Sequence, residues 1–256
     1  MRTCVLPSSL FSQKHLTSAP SGDEVCCLLQ QDTYAGEDVT NDSVFHESWR
    51  NLPIDPYMGD GGKYRTRRHS HYSAHADHPD SPVRVSYRPL LQSKAYNPLN
   101  GGQPRFFEEV EDSVHNTPTL HSLLELSTRI VSAASGKKDW HVEMHQLRVE
   151  TKSTEVGMVT PEGPHQDGGE YVVIFLTHRE NVGGGMTTIY DTELEPKTQM
   201  MLLRPYDFVL VDDRAVFHGV GPIFQVDPER EAFRDVLVFV FTSKSSDLFV
   251  PWPPQQ

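Results

Sequence analysis

The chain has 256 residues, with 35 acidic and 23 basic side chains and a formal net charge of −12 at pH 7. This length allows one sizeable hydrophobic core, and the acidic balance argues against a general binder of nucleic acid or anionic membranes. No apolar stretch approaches the ~20 residues that span a bilayer, and the apolar patch before Pro7 is too short for a secretory signal. We therefore expect a cytoplasmic protein that binds neither nucleic acid nor membrane.

The N-terminal residues 1–40 are polar and interrupted, with no sustained hydrophobic period. They predict a loosely ordered lead-in to a single domain over residues 41–256. The three cysteines, Cys4, Cys26 and Cys27, all lie in this lead-in. An odd, clustered set without CxxC spacing indicates reduced thiols and no disulfide framework.

The next segments are a short helix and an irregular stretch. Val44 to Leu52 predicts the helix, and residues 59–82, rich in Gly, His, Ser, Asp and Arg, predict loop or partly extended chain. The basic run at 63–68 is short and isolated in an acidic chain. We interpret it as a solvated or substrate-facing segment and not as a nucleic-acid site.

A longer helix is predicted from Pro118 to Ser135. Thr117 suits the N-cap, a proline is favoured at the first helical position, and Gly136 offers a stop. Leucine, isoleucine and valine recur near one face of this segment, which predicts a helix packed on a sheet.

After Lys138 the hydrophobic period becomes that of strands. Seven candidate strands are separated by Gly and Pro turns: Trp140–Glu150, Tyr171–Thr177, Met186–Tyr190, Gln199–Arg204, Asp207–Val211, Val216–Val220 and Asp235–Thr242. Many short strands of this kind predict a mainly β fold, and a double-stranded β-helix (jelly roll, cupin-like) with flanking helices fits their number and spacing, with its core at about 140–242. The run Gly183-Gly184-Gly185 lacks a phosphate-loop pattern and predicts a hairpin turn.

Three His-x-Asp tripeptides are candidate metal-binding pairs. The copies starting at His75 and His78 lie in a polar stretch without a neighbouring strand, which gives a metal no rigid base. His165 and Asp167 directly precede an apolar strand, and residues two apart in extended chain point the same way. With His218 in a separate strand, they supply the two imidazoles and one carboxylate that hold a non-haem Fe(II) with an open face.

The rival set is His141, Glu143 and His145, which share one face of a predicted strand. We rank it second because no distant histidine followed by a suitably spaced arginine accompanies it. Arg234 provides that arginine after His218, at the mouth of an apolar strand. A buried guanidinium needs an anionic partner. The distal carboxylate of 2-oxoglutarate is one candidate, and an ordinary salt bridge to Asp235 or Glu231 is the other.

Several segments together look like a family of bacterial 2OG-Fe dioxygenases that includes free L-isoleucine hydroxylases. The likeness covers roughly residues 50–242, and it is carried by these segments: Gln92–Gly102, Pro161–Val172, Arg179–Asn181, Gly184–Asp191, Asp212–Ile223 and Arg234–Val238. Two departures border the iron site: Gln166, where the family has a basic residue, and Glu170, where it often has Asp.

The resemblance implies a jelly-roll core with Fe(II) held by His165, Asp167 and His218 and with 2-oxoglutarate anchored by Arg234. It implies that O2 is the co-substrate, that a small free amino acid, aliphatic or similar, is hydroxylated, and that succinate and CO2 are released. A homodimer is an open alternative to a monomer.

An amino acid substrate needs an anion for its ammonium group and a cation for its carboxylate. Glu170 is the candidate for the first and Arg148 for the second, and Asn97 and Tyr96 are candidate pocket residues. Alternatives are desaturation or cyclisation by the same iron chemistry, a non-catalytic jelly-roll binding module, and a demethylase that acts on nucleic acid or protein.

Overall fold

The computed structural model describes residues 17–18, 26–29, 42–78 and 82–249. Most of the predicted 1–40 lead-in and the proline-rich tail lie outside the described residues. Helices α1, α2 and α3 span Ser43–Glu47, Asp112–His115 and Pro118–Ser135, and a 3-10 turn covers Ser48–Asn51. The strands are β1 (Thr17–Ser18), β2 (Cys26–Leu29), β3 (Arg65–His75), β4 (Val83–Arg84), β5 (Asp139–Glu150), β6 (Tyr171–Glu180), β7 (Val182–Gly184), β8 (Thr187–Tyr190), β9 (Pro196–Met200), β10 (Phe208–Asp212), β11 (Phe217–Val220), β12 (Ile223–Gln225) and β13 (Phe233–Ser243).

The strands form two antiparallel layers. The large sheet has eight strands in the order β1-β2-β10-β6-β13-β5-β3-β4, and the smaller layer contains β11-β8-β9 and the pair β12-β7. Isolated bridges join Gly157 to Ile223 and His165 to His218, so the chain before β6 runs along the edge of the smaller layer. This is the predicted double-stranded β-helix, and the mainly β fold class is confirmed.

Alternation along the central strands builds two apolar clusters, one on each face of the large sheet. On the outer face, the aromatic rings of Phe175 and Phe239 pack with the leucines of α3. On the inner face, Ile174, Val236 and Val238 pack toward the smaller layer. Because both faces are covered there, residues 171–176 of β6 and 236–241 of β13 are continuously apolar.

Helix α3 has the predicted bounds and caps. The Thr117 hydroxyl accepts a hydrogen bond from the Leu120 N–H at 3.3 Å, and Gly136 ends the helix with φ 75°. A residue with a Cβ is disfavoured in that left-handed conformation, which explains the glycine. In the described part of the chain, no helix is long and apolar enough to cross a membrane.

Three local predictions differ from the structure. Residues 65–75, predicted within loop or partly extended chain, form the eleven-residue strand β3, which pairs with β5 along its whole length. The strand predicted at 199–204 lies earlier, at Pro196–Met200. Gly183 and Gly184 belong to β7, which pairs with β12, and the chain bends before them at Asn181, with φ 52°. Strand pairing with distant segments decided each case.

Candidate active site

The two layers bring His165, Asp167 and His218 together at one edge of the smaller layer. The backbone N–H groups of His165 and His218 each donate to the carbonyl of the other, at 2.9 and 3.0 Å. His165 Nε2 lies 3.8 Å from Asp167 Oδ1, and His218 Nε2 lies 3.4 Å from Asp167 Oδ2. One ligand atom from each side chain lies within 4.8 Å of the others, so a single ion can contact all three.

The tautomer of His165 suits metal binding. Its Nδ1–H donates to the Gly163 carbonyl at 3.1 Å, which leaves the Nε2 lone pair for an ion. Burial and the neighbouring His218 lower the pKa of His165, so the neutral form that binds metal is favoured. For Asp167, burial alone would raise the pKa, but the His218 hydrogen bond and the two imidazoles lower it to about 2.

Asp213 fixes the backbone at Asp167. This carboxylate is 1% exposed and accepts hydrogen bonds from the N–H groups of Asp167 and Gly168, at 3.0 and 2.8 Å. Burial and the charge of Asp167 raise the pKa of Asp213 to about 7. Gln166 adds a hydrogen bond to the same residue, because its Nε2 donates to the Asp213 carbonyl at 2.5 Å. The side chain of Gln166 thus holds the loop before β11 and is not part of the cavity lining.

Arg234 lies in the same cavity as the three ligands. The guanidinium is 2% exposed, and its Nε and one terminal nitrogen have no hydrogen-bond partner among the described residues. Burial and the nearby charge of Arg179 lower the pKa of Arg234 to about 10, which still leaves it charged at neutral pH. The predicted salt bridge to Asp235 or Glu231 is not among its contacts, since Asp235 is held by Arg148.

The residues present fit both Fe(II) and 2-oxoglutarate. Two imidazole nitrogens and one carboxylate on one side of an ion are the ligand set of non-haem Fe(II) oxygenases. The buried guanidinium of Arg234, with two nitrogens unpartnered within residues 42–78 and 82–249, requires an anion. The distal carboxylate of 2-oxoglutarate is an anion of that shape.

Comparison with known proteins agrees with this geometry. The family model described as 2OG-Fe dioxygenase matches residues 46–240. The chain belongs to this dioxygenase family.

One sequence relative and two solved structures resemble this chain at 22–30% sequence identity. The dioxygenase is 29% identical over 200 residues to the L-isoleucine-4-hydroxylase of Bacillus thuringiensis. The aligned region covers 77% of this chain and 80% of the relative. The crystal structure of a bsmA homolog from Methylobium petroleophilum PM1 aligns with TM-score 0.72 and 30% identity, over 81% of this chain and 82% of that one. The crystal structure of IDO from Bacillus thuringiensis aligns with TM-score 0.68 at 22% identity, over 86% of this chain and 94% of that one, and shows the shared fold. The dioxygenase therefore uses Fe(II), 2-oxoglutarate and O2, as this family does.

Of the four residues expected to bind the substrate, one lines the cavity and three do not. Asn97 lines the cavity, and its Nδ2 donates to Glu162 Oε1 at 3.4 Å. Tyr96 lies outside the cavity lining, with its ring against the Cα of Gly168, where an added Cβ would come within 3.1 Å. Tyr96 therefore supports the loop that carries Asp167.

Glu170 and Arg148 do not reach the cavity, so the roles expected for them do not fit the structure. The Glu170 carboxylate is fully buried, forms an ion pair with Lys137 and accepts from the Ser243 N–H at 3.0 Å. Arg148 lies on the opposite face of β5 from Leu147, which lines the cavity. Its guanidinium forms two hydrogen bonds of 2.7 Å with Asp235.

The cavity instead contains charged residues that sequence reasoning did not select. Glu162, Arg65, Arg67 and Arg105 line it together with the iron ligands and Arg234. Arg65 and Arg67 come from the basic run at 63–68, where alternation would have shown that two of its arginines share a face. Glu162 precedes His165 by three residues, and that proximity was its only signal.

The rival metal set is rearranged by strand pairing. His145 Nδ1 accepts from Arg67 at 2.7 Å and is not available as a ligand with Glu143. Glu143 instead approaches His69 and His71 of β3, and these three form a second metal-competent group. Sequence reasoning missed both histidines because β3 was not predicted as a strand.

Proposed function

We propose that this dioxygenase hydroxylates a free L-amino acid with an aliphatic or similar side chain. When bound, Fe(II) with 2-oxoglutarate and O2 supplies the chemistry that replaces a C–H bond by C–OH while 2-oxoglutarate is decarboxylated to succinate and CO2. The protein residues bind and orient the amino acid and keep water from the site. We also propose that residues 41–256 act as one catalytic domain.

The observation that carries the choice of substrate is the Glu162 carboxylate. Its side chain is 6% exposed and Oε1 lies 3.9 Å from His165 Nε2, next to the metal site. Oε2 is buried and has no hydrogen-bond partner in the described part of the chain. A buried carboxylate without a full set of partners is costly. The ammonium group of an amino acid would supply the missing partner, which is the role first expected of Glu170.

Cations and apolar groups in the cavity match the rest of such a substrate. Arg67 and Arg105 each have a buried Nε without a hydrogen-bond partner within the described residues, and Arg105 is 2% exposed. Either guanidinium can donate hydrogen bonds to the substrate carboxylate, and this takes over the role first expected of Arg148. Leu90, Leu147 and Val159 provide an apolar wall for a short side chain.

The first experiment is turnover with a panel of free L-amino acids, Fe(II), 2-oxoglutarate and O2. We expect succinate formation that depends on an aliphatic amino acid, and a product heavier by one oxygen atom. A product lighter by two hydrogens would instead establish desaturation or ring closure by the same site. If no free amino acid stimulates succinate formation, the proposed substrate class is wrong.

The role of Glu162 is tested by Glu162→Gln. Loss of the charge should raise the KM for the amino acid on the order of 10–100-fold, the equivalent of about 1.5–3 kcal/mol for a charged hydrogen bond. The KM for 2-oxoglutarate should stay near that of the wild type. Glu155→Gln is the matched control, because Glu155 is exposed and outside the cavity. An unchanged amino acid KM in Glu162→Gln would remove this residue from the site.

A further inference from the structure

A second group of metal-binding side chains lies on the inner face of β3 and β5. His69 and His71 are two apart on β3, and the register places His71 opposite Glu143 of β5. His69 Nε2 lies 3.6 Å from Glu143 Oε2, and one ligand atom from each of the three residues lies within 4.8 Å of the others. None of these residues belongs to the iron triad.

His69 is buried without hydrogen bonds. Its side chain is 0% exposed, and neither ring nitrogen has a hydrogen-bond partner among the described residues. Such a nitrogen costs about 1–3 kcal/mol of desolvation if nothing satisfies it. Because Glu143 is near but beyond hydrogen-bond distance, the space between these two side chains is suited to a bound ion.

His71 is oriented as a metal ligand would be. Its Nε2–H donates to the Arg88 carbonyl at 3.1 Å, which leaves Nδ1 with a lone pair. Histidines that bind metals ordinarily donate their other N–H to a carbonyl or carboxylate in this way. That lone pair accepts the Nε2–H of His141 at 3.1 Å, and an ion bound to His71 Nδ1 would replace this hydrogen bond.

The donor atoms of this group decide which class of ion it can bind. Burial lowers the pKa of His69, His71 and His141, so these imidazoles are neutral at physiological pH and need lose no proton to bind. Glu143 supplies the one carboxylate of the group; burial raises its pKa, and the positive charge of Arg88 acts against that rise. A donor set of imidazoles with a single carboxylate disfavours Mg²⁺ or Ca²⁺, which need several oxygen ligands, and favours an ion bound mainly by imidazole.

We propose that His69, His71 and Glu143 form a second metal site, separate from the iron triad, for a divalent transition ion such as Zn²⁺. The ion would link β3 to β5, the strand pair whose residues Arg67 and His145 line the active-site cavity. This second site can be tested independently of the substrate proposed above, because binding of the ion is measured without turnover.

The test uses the metal-free full-length protein and Co²⁺ as the probe under anaerobic conditions. We expect two Co²⁺ ions per wild-type chain, measured by elemental analysis after unbound ion is removed. His165→Ala should retain one ion, and His69→Ala should also retain one, at the iron triad. His75→Ala is the matched control, a histidine of the same strand outside the group, and should retain two.

A milder variant and a stability measurement guard against a folding defect in His69→Ala. Glu143→Gln should weaken binding of the second ion at least tenfold, because a charged ligand is replaced by a neutral one. In His165→Ala, excess Co²⁺ at about one hundred times its Kd should raise Tm by roughly 5–10 °C, and this rise should vanish when His69→Ala is added. One ion per wild-type chain, or two ions retained in His69→Ala, would overturn the proposal.

Discussion

At the scale of single residues, hydrogen bonds to the backbone around the ligands orient the metal site. His165 is oriented by the Gly163 carbonyl, and Asp213 holds the N–H groups of Asp167 and Gly168. Gly168 has φ 93° and lies against Tyr96, so a side chain there would strain the backbone and crowd the ring. The ligand spacing in the sequence is therefore only part of the site, because the geometry depends on residues far along the chain.

Arg234 is expected to set the affinity for 2-oxoglutarate. Arg234→Lys keeps the charge but loses the paired N–H donors, so the Kd for 2-oxoglutarate should rise on the order of 10–100-fold. Titration of the Fe(II)-loaded protein with 2-oxoglutarate, without oxygen, measures this Kd. Arg230→Lys is the control, because Arg230 is 60% exposed and pairs with Glu180. Equal affinity in Arg234→Lys and the wild type would contradict the assigned role.

At the scale of elements, strand β3 shows how pairing can override composition. Its sequence is rich in arginine, histidine and serine, which indicates loop when read alone. The strand pairs with β5 from Arg65 to His75, and its inward side chains face the cavity or the cluster of His69, His71 and Glu143. Polar residues are tolerated in this strand because its inward side chains meet other charged and polar groups, not an apolar core.

Glu170 also acts between elements, because its hydrogen bond to Ser243 connects the start of β6 to the end of β13. Its carboxylate is paired with Lys137 and with the Ser243 N–H. Burial alone would raise the pKa of Glu170, but these contacts lower it below its ordinary value of 4.5. Glu170→Gln should cost about 1–2 kcal/mol at pH 7, toward the low end for charged hydrogen bonds because Lys137 is 37% exposed.

The sign of the pH dependence follows from the lowered pKa. The stabilisation by Glu170 is complete above the unfolded pKa, near 4.5, and is lost as pH falls through the lower folded pKa. Urea unfolding of the wild type and Glu170→Gln should therefore differ at pH 7 and converge in acid. Glu125→Gln, at a side chain 63% exposed, is the control. A changed amino acid KM in Glu170→Gln would instead restore the substrate role first expected of it.

At the scale of the whole molecule, the candidate active site lies between the two layers. The smaller layer supplies His218, and the large sheet supplies Arg234 from β13 and Arg67 from β3. Ile174, Val236 and Val238 of the large sheet form an apolar wall of the same cavity. The site requires the closed arrangement of layers, and no isolated segment contains it.

The assembled site should bind Fe(II) and 2-oxoglutarate together. Anaerobic addition of both should produce a weak visible absorption band in the wild type, and Asp167→Ala should lose both this band and all succinate formation. The unliganded fold should survive His165→Ala with a Tm loss of about 2–4 °C, since its bridge to His218 is made by backbone groups. A band of wild-type intensity in Asp167→Ala would contradict the assigned iron site.

The sequence by itself determined the features that depend on local pattern. Helix α3 follows from its caps and apolar stripe, and the strands after Lys138 follow from short apolar runs between turns, although β9 was displaced by several residues. The candidate ligands His165 and Asp167 were identifiable because a strand follows them. His218 and Arg234 were selected from their positions in later strands, and the family likeness then implied the same four residues.

Only the tertiary structure decided which charged residues face the cavity. Glu170 and Arg148 border the right segments, but ion pairs with Lys137 and Asp235 hold them away from the cavity. Glu162 faces the cavity and has an unpartnered oxygen among the described residues. The partner of a charged side chain lies anywhere along the chain, and only the folded arrangement brings the two together. Neighbouring residues of a strand face opposite sides of the sheet, so a difference of one position decides whether a side chain enters the cavity or forms an ion pair elsewhere. The amino-acid composition of the strand does not show which side a given residue faces.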